Sequence, residues 1–423
     1  MPLFCAARSG SEALSSLLLR KGADANLATT TQGTSPLMIA AQEGHVPVVK
    51  ALLEHKAEVN LKDNNGLTAL SIAACHGNVE AATVLSENGA ERSGSSLAEE
   101  AFFGDTSKVV EMIKQGNLVD QGVDEESWTP LILAAQNGKT ETVSALLEHG
   151  ADVNYKGVGT TALVEASKQG HIEVIRVLLK NGADLSADTF EEQITALEAA
   201  AANGFFDVVE AIIASGADVN QECWKNNRNR TALISAAAGG YTEVVQLLIK
   251  NGADVMPHDG DIKDAFDHAS KNGHKKLASL IAEHIAPADL NDKLVMSVYM
   301  KSMDTFNNIL ENPACNVDHI GQSNVDELRD EIVAGYSALI MAAGRKETVC
   351  LQALLNKQAD VNVMGANGQT AAEVAFSQSN LEGLEILLKH GAVVSKEILD
   401  TVDEQEDGLE MLDLIKKYQS GQQ

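Results

Sequence analysis

The sequence predicts an all-α protein, a stack of about thirteen helix-turn-helix units joined by short hairpin fingers, and three observations carry that prediction. The string GADVN or a near relative recurs: GADAN at 22–26, KAEVN at 56–60, GADVN at 150–154 and 216–220, QADVN at 358–362. Small polar residues ahead of each "AL" or "PL" fall at Ser35, Thr68, Ser95, Thr129, Thr161, Thr195 and Thr231, by register at Asp264 and Asp292, then at Ser337, Thr370 and Glu397, with intervals scattered about 33 residues. The interior must be aliphatic, since hydrophobic residues make up 44% of the chain and aromatic ones 4%. Ala, Leu, Val and Ile suit close-packed helices better than aromatic-rich sandwiches. At 423 residues the chain exceeds what one compact core usually supports, and a self-similar period resolves that length into a one-dimensional stack.

One unit, TSPLMIAAQEGHVPVVKALLEHKAEVN (34–60), shows how each part forms. Ser35 is placed to cap a short helix, and Pro36 sits in its first turn, where a missing N–H costs nothing. Leu37, Ala40 and Ala41 make an i, i+3, i+4 stripe, and the alanines let a second helix approach. Gly44 ends the first helix in a left-handed conformation. Val48, Val49, Leu52 and Leu53 form the buried face of the second helix, and the glycine of each GADVN ends it. No unit of this size buries its apolar face alone, so the units must stack.

TSPLMIAAQEGHVPVVKALLEHKAEVN, TALSIAACHGNVEAATVL and WTPLILAAQNGKTETVSALLEHGADVN resemble ankyrin repeats, with at least seven good copies over nearly the whole chain. The resemblance implies an ankyrin-repeat solenoid whose fingers and first helices bind other proteins. It also implies that the residue before each aligned hydroxyl faces that binding surface. Here those residues are Thr34, Leu67, Trp128, Thr160, Ile194, Arg230, Tyr336 and Gln369. Trp128, Arg230 and Tyr336 are of the types that dominate binding hot spots; Trp128 either meets a partner or packs on a neighbouring finger.

Departures from the period set the expected organisation. Residues 1–423 read as one solenoid, with capping units at 1–32 and 397–423 and regular repeats at 33–94, 127–260 and 336–396. Degenerate repeats are expected at 95–126 and 261–317, and an inserted acidic finger at 318–335. The 95–126 repeat lacks the Ala-Ala pair, and KLVMSVYMKSMDTFNNILENPAC lacks the turn glycine, so both are expected to pack loosely. The insertion, with Asp318, Asp326, Glu327, Asp330 and Glu331 and a turn of helix at DELRDEI, is either a partner-contacting arm or a tolerated surface loop.

A formal net charge of -28 repels phosphate, so nucleic acid and anionic membrane are poor partners and proteins better ones. QECWKNNRNR (221–230) is the local exception. It carries Trp224, Lys225, Arg228 and Arg230 in a finger running eleven positions from Asn220 to Thr231, against eight from Asn60 to Thr68. We expect these four residues, with Trp128 and Tyr336, to bind partners.

Five scattered cysteines without a CxxC pair suit a reducing compartment, the cytoplasm or the nucleus. The opening stretch lacks a basic segment followed by a long apolar run, and no stretch has the apolar length of a membrane span. HExxH, GxSxG, GxxxxGK[ST] and CxxC motifs are absent. Histidines recur at repeat positions: His45, His171 and His274 after turn glycines, His55, His149 and His390 at the ends of second helices, where a positive charge suits the helix dipole. Carboxylate pairs such as Glu99-Glu100 are expected on solvated faces. We therefore expect a non-enzymatic scaffold or adaptor with no cofactor, metal or small-molecule substrate; the alternative is a regulatory, inhibitory or targeting subunit of an enzyme complex.

Overall fold

Short polar side chains start the first helix of most units. Ser35, Thr68, Thr129, Thr161, Thr195, Thr231, Asp264, Ser337 and Thr370 each accept the backbone N–H three residues on, at 3.2–3.4 Å. Such a cap is worth about 1 kcal/mol, so the recurring hydroxyl is a helix start signal. The helices it opens are short, as in Pro36–Gln42, Ala69–Cys75 and Pro130–Gln136, and each is followed by a turn and a second helix, as in Val46–Glu54.

The computed structural model describes residues 2–122, 128–156, 159–189, 193–225, 228–256, 264–321, 335–395 and 406–419. Among them are 25 helices, namely twelve pairs and the helix Glu406–Gln419, together with one two-stranded antiparallel hairpin. The helical turn expected at DELRDEI, with Asp326, Glu327, Asp330 and Glu331, lies outside the described residues, as does Glu397. The chain divides into two compact bodies, residues 1–236 with 243–253 and residues 237–242 with 254–423.

The expected cap position fails twice. Ser96 rather than Ser95 precedes the helix Leu97–Phe103, and its side chain makes no capping bond. Asp292 lies inside the helix Pro287–Tyr299, which opens at Pro287 because proline is preset for a first helical turn.

A column of alanines holds the helix pairs together. The residue ahead of most second helices donates its N–H to a carbonyl five residues earlier: His45 to Ala40, Asn78 to Ala73, Lys139 to Ala134, His171 to Ala166, Phe205 to Ala200, His274 to Ala269, Glu347 to Ala342 and Asn380 to Ala375. Every one of these alanines is fully buried, and at interior packing density a larger side chain has no room there. The same bond exposes two breaks in the column, since Asp105 donates to Glu100 and Ser302 to Ser297.

The side chain of that donating residue also covers the turn of the preceding unit. Asn78 Nδ2 donates to Ala41 O at 3.0 Å and to Gln42 O at 2.6 Å, and a Cβ added to Gly44 would lie 2.7 Å from its Oδ1. Gly44 also has φ 70°, which a side chain resists. Among the described residues six non-glycines adopt positive φ, each where sibling units carry glycine: Lys301, Lys346 and Ser379 in turns, Lys56 and Gln358 after second helices, and Gln193 in a finger. Each costs about 1–2 kcal/mol.

Hydrogen bonds between successive units explain the asparagine of GADVN. Asn60 Nδ2 donates to Gly89 O at 3.2 Å while its Oδ1 accepts from Glu91 N at 2.8 Å. Asn154 and Asn362 repeat both bonds, and Asn220 donates to Gly252 O. Histidines at the ends of second helices satisfy their own helix: Nδ1 of His55, His149 and His390 lies 2.8–2.9 Å from the carbonyl four residues back.

Candidate functional site

The finger exits divide by exposure. Thr34, Leu67, Thr160 and Ile194 are buried, whereas Trp128, Arg230, Tyr336 and Gln369 are half-buried. The aromatic, arginine and glutamine members of this row are therefore the ones that reach solvent.

Trp128 spends part of its ring on its own fold. Its backbone N–H donates to Cys75 O at 3.2 Å, and the ring lies over the turn at Gly77, where an added Cβ would sit 2.7 Å from Cε3. Tyr336 lies at the end of the insertion, its carbonyl accepting from Gly321 N at 3.0 Å, while Asp318 takes the N–H of Asp360 at 2.7 Å.

The enlarged finger is the described hairpin. Cys223–Lys225 pairs antiparallel with Arg228–Arg230, setting Cys223 opposite Arg230, Trp224 opposite Asn229 and Lys225 opposite Arg228. The side chains of Trp224, Lys225 and Arg228 lie outside the described ones. Cys223 points inward, 3.7 Å from Thr195 Oγ1, and burial pushes its thiol above the ordinary value against the pull of Thr195. Arg230 is half-buried, with a buried Nε that has no hydrogen-bond partner among the described residues. An unpaired buried donor costs about 1–3 kcal/mol.

The two breaks in the alanine column hold charge that sequence reasoning missed. Glu99 and Glu100, expected on a solvated face, are both fully buried. Glu99 Oε1 accepts from Ser71 Oγ (2.6 Å) and Ser93 N (2.9 Å), and its Oε2 accepts from Ser93 Oγ (2.6 Å) and Gly94 N (2.9 Å). Glu100 pairs with Lys108 Nζ at 2.7 Å and faces Arg92 Nη1 at 3.5 Å, the Arg92 guanidinium lying over the Phe103 ring. The expected loose joint is filled: a loop folds over the first carboxylate and two cations reach the second.

The other break lies in the second body. Lys293, 7% exposed, places Nζ 2.7 Å from both Asp264 Oδ2 and Asp267 Oδ2, and Thr305 Oγ1 donates to Asp267 Oδ1 at 3.3 Å. Burial pushes Asp264 up to about 6 against the attraction of Lys293. At Asp267 burial also raises the value, but the charge and hydrogen bond of Lys293, with bonds to Asp264, outweigh it and hold Asp267 below the usual range. Beside this triad a cavity of about 400 Å³ runs along the two first helices, walled by Met256, Met296, Met300 and Met303, with Ser297 from the alanine column in its lining.

The signals for both clusters were present but weak. A glutamate in a column of alanines marks the first, and a lysine inside the apolar run KLVMSVYM marks the second. Neither shows its partners, which lie 8 and 26–29 positions away. Among the described residues no three His, Cys, Asp or Glu side chains gather as a metal site.

Helix pairs stacked through an alanine column, with fingers cross-bonded by asparagine, define a helical-repeat protein. The model for Ankyrin repeats (3 copies) matches residues 3–93, 97–189, 158–223, 197–294 and 294–398, and the chain belongs to the ankyrin-repeat family. It is 32% identical over 167 residues to human Transient receptor potential cation channel subfamily A member 1, covering 36% of this chain and 15% of that protein. It is 36% identical over 162 residues to Probable E3 ubiquitin-protein ligase XBOS32 of Oryza sativa subsp. japonica, covering 36% and 31% respectively. It is 33% identical over 132 residues to SH3 and multiple ankyrin repeat domains protein 1 of Mus musculus, covering 29% and 6%. The match thus spans less than a third of each of these relatives. The repeats form a protein-interaction domain, and no helix among the described residues is long and apolar enough to cross a membrane.

Proposed function

We propose that this chain is a non-enzymatic scaffold or adaptor of the cytoplasm or nucleus that grips one or more partner proteins through its fingers and first helices. The observation that supports this reading is the exposure pattern of the finger exits, where Trp128, Arg230 and Tyr336 are half-buried in a row whose threonine and aliphatic members are buried. Trp, Tyr and Arg are the residue types that most often concentrate binding energy. The finger that forms the hairpin carries Trp224, Lys225, Arg228 and Arg230 in its sequence, a local excess of positive charge on a chain of net charge -28, which suits a partner surface that is acidic or accepts an aromatic ring.

The test is affinity capture by the full chain and by Trp224→Ala, Arg230→Ala and Tyr336→Ala variants, each checked for an unchanged melting temperature. Loss of a partner by about tenfold or more in at least one variant supports the surface. Equal recovery by all three rules it out. Trp128→Ala belongs in the same series, with the expectation that it also lowers stability.

A second reading is favoured by the rice relative, whose name is that of a probable ubiquitin ligase: the repeats serve as a regulatory or targeting subunit of an enzyme complex. Recovery of a catalytic protein as the stable partner separates this reading from a passive adaptor.

A further inference from the structure

The cavity between the first helices Ala265–Lys271 and Pro287–Tyr299 is too large to be a packing defect. Voids in well-packed interiors seldom exceed a water molecule, whereas ligand pockets begin at roughly 300 Å³. At about 400 Å³ this one falls in the latter class. Around it the repeat departs from its pattern: Ser297 stands at the alanine position, the helix opens early at Pro287, and the turn is made by Lys301 at φ 56° rather than by glycine.

Its walls are adaptable. Four methionines line it, Met296 being 5% exposed and Met300 37%. Methionine is unbranched and polarizable, so such a wall reshapes around whatever apolar group enters. The lining carries three carboxylates, Asp264, Asp267 and Asp304, and three lysines, Lys271, Lys293 and Lys301. Lys293 is taken up by Asp264 and Asp267, and Lys301 reaches Glu347 at 2.6 Å, so the carboxylate presented at the exposed edge is Asp304, on a chain of net charge -28.

We propose that this cavity is an anchor pocket for a basic-apolar segment of a partner protein: one bulky apolar side chain enters between Met296, Met300 and Met303, and a flanking lysine or arginine meets Asp304 at the mouth. The inference rests on the adaptor reading, because the pocket is built on first helices. It adds the chemistry of the occupant. The carboxylates of the floor are held by Lys293 and Thr305, so they shape the pocket while the methionines make the contact.

The probes are fluorescein-labelled pentapeptides with Leu, Phe, Met or Ala at the centre and two lysines on each side, titrated into the full chain and read by anisotropy. Burying a large apolar side chain predicts that at least one of the Leu, Phe and Met peptides binds about ten- to hundredfold tighter than the Ala peptide. Met300→Ser, at a part-exposed site that spares folding, is expected to erase that preference. Asp304→Lys is expected to weaken all four peptides alike, and glutamate in place of the flanking lysines to weaken binding at least tenfold.

Equal affinity for Ala- and apolar-centred peptides, a preference untouched by Met300→Ser, or no binding by any peptide overturns the proposal. The two readings fail separately. If hairpin variants lose a captured partner while the peptides do not discriminate, only the pocket falls; if the peptides discriminate while hairpin variants keep their partners, the finger surface falls and the pocket stands.

Discussion

Two units break the alanine column, and they resolve the break in opposite ways. In the unit Leu97–Phe103/Thr106–Lys114, Glu100 occupies the alanine position and is closed over: Lys108 and Arg92 reach its carboxylate, while Ser71, Ser93 and Gly94 saturate Glu99. In the unit Pro287–Tyr299/Met303–Leu310 the substitute is the small Ser297, and the nearby triad of Lys293, Asp264 and Asp267 leaves about 400 Å³ of methionine-lined space. The same lapse in the repeat thus yields a plug in one place and a pocket in the other. At Glu100 a loop and two long cations close over a carboxylate on the helix, whereas beside Ser297 the Lys293 ammonium is directed at Asp264 and Asp267 while the methionines line the open space.

The largest effect that would test the plug comes from Lys108→Met. It strands a fully buried carboxylate with Arg92 at 3.5 Å, and breaking a buried pair on one side costs about 3 kcal/mol. The expected result is a lower urea midpoint at unchanged slope; a loss under about 1 kcal/mol would mean that Glu100 is not closed in. Next is Gly77→Ala, expected to cost about 2 kcal/mol, because φ is 71° and the added methyl meets the Trp128 ring. Repeating it in a Trp128→Ala background should recover the steric part and leave the backbone part; the two changes adding independently would show that the ring does not bridge the plug.

The pocket is tested by pH. The folded value of Asp264, about 6, lies above its ordinary 3.8, so its contribution to stability is fully present below that ordinary value and is lost as pH rises through 6. Asp267 is shifted down from 3.8, so its contribution is present above 3.8 and lost as pH falls through the lower folded value. In Asp264→Asn the first dependence disappears, with Lys293, Asp267 and Thr305 still in place. The melting temperature of the variant relative to wild type should climb between pH 4 and 7 and then level off; a flat difference breaks the assignment. The smallest effect is Lys301→Gly, which relieves a left-handed lysine but loses the exposed pair with Glu347. The balance is a gain of no more than about 1 kcal/mol, read as a small rise in melting temperature.

Legibility followed the repeat. Ser35, Thr129 and Thr370 could be read as starts because a cap acts on the backbone three residues away, and Gly44 as a stop for the same local reason. Asp292 misled because register was extended through a unit whose helix starts at Pro287. Glu99-Glu100 misled because a charge pair in sequence looks the same whether water or Ser71, Arg92 and Lys108 lies opposite it.

By itself, then, the sequence determined the repeat, the helix boundaries in its regular units and the family, since all of these depend on interactions within a few residues or on a period repeated many times. The tertiary structure alone decided that Trp128 lies over Gly77, that Glu100 is a buried ion pair and that Lys293 gathers Asp264 and Asp267 beside an open cavity. Those outcomes turn on which side chains from neighbouring units arrive at one point, and that is set by packing between units rather than by the pattern within them.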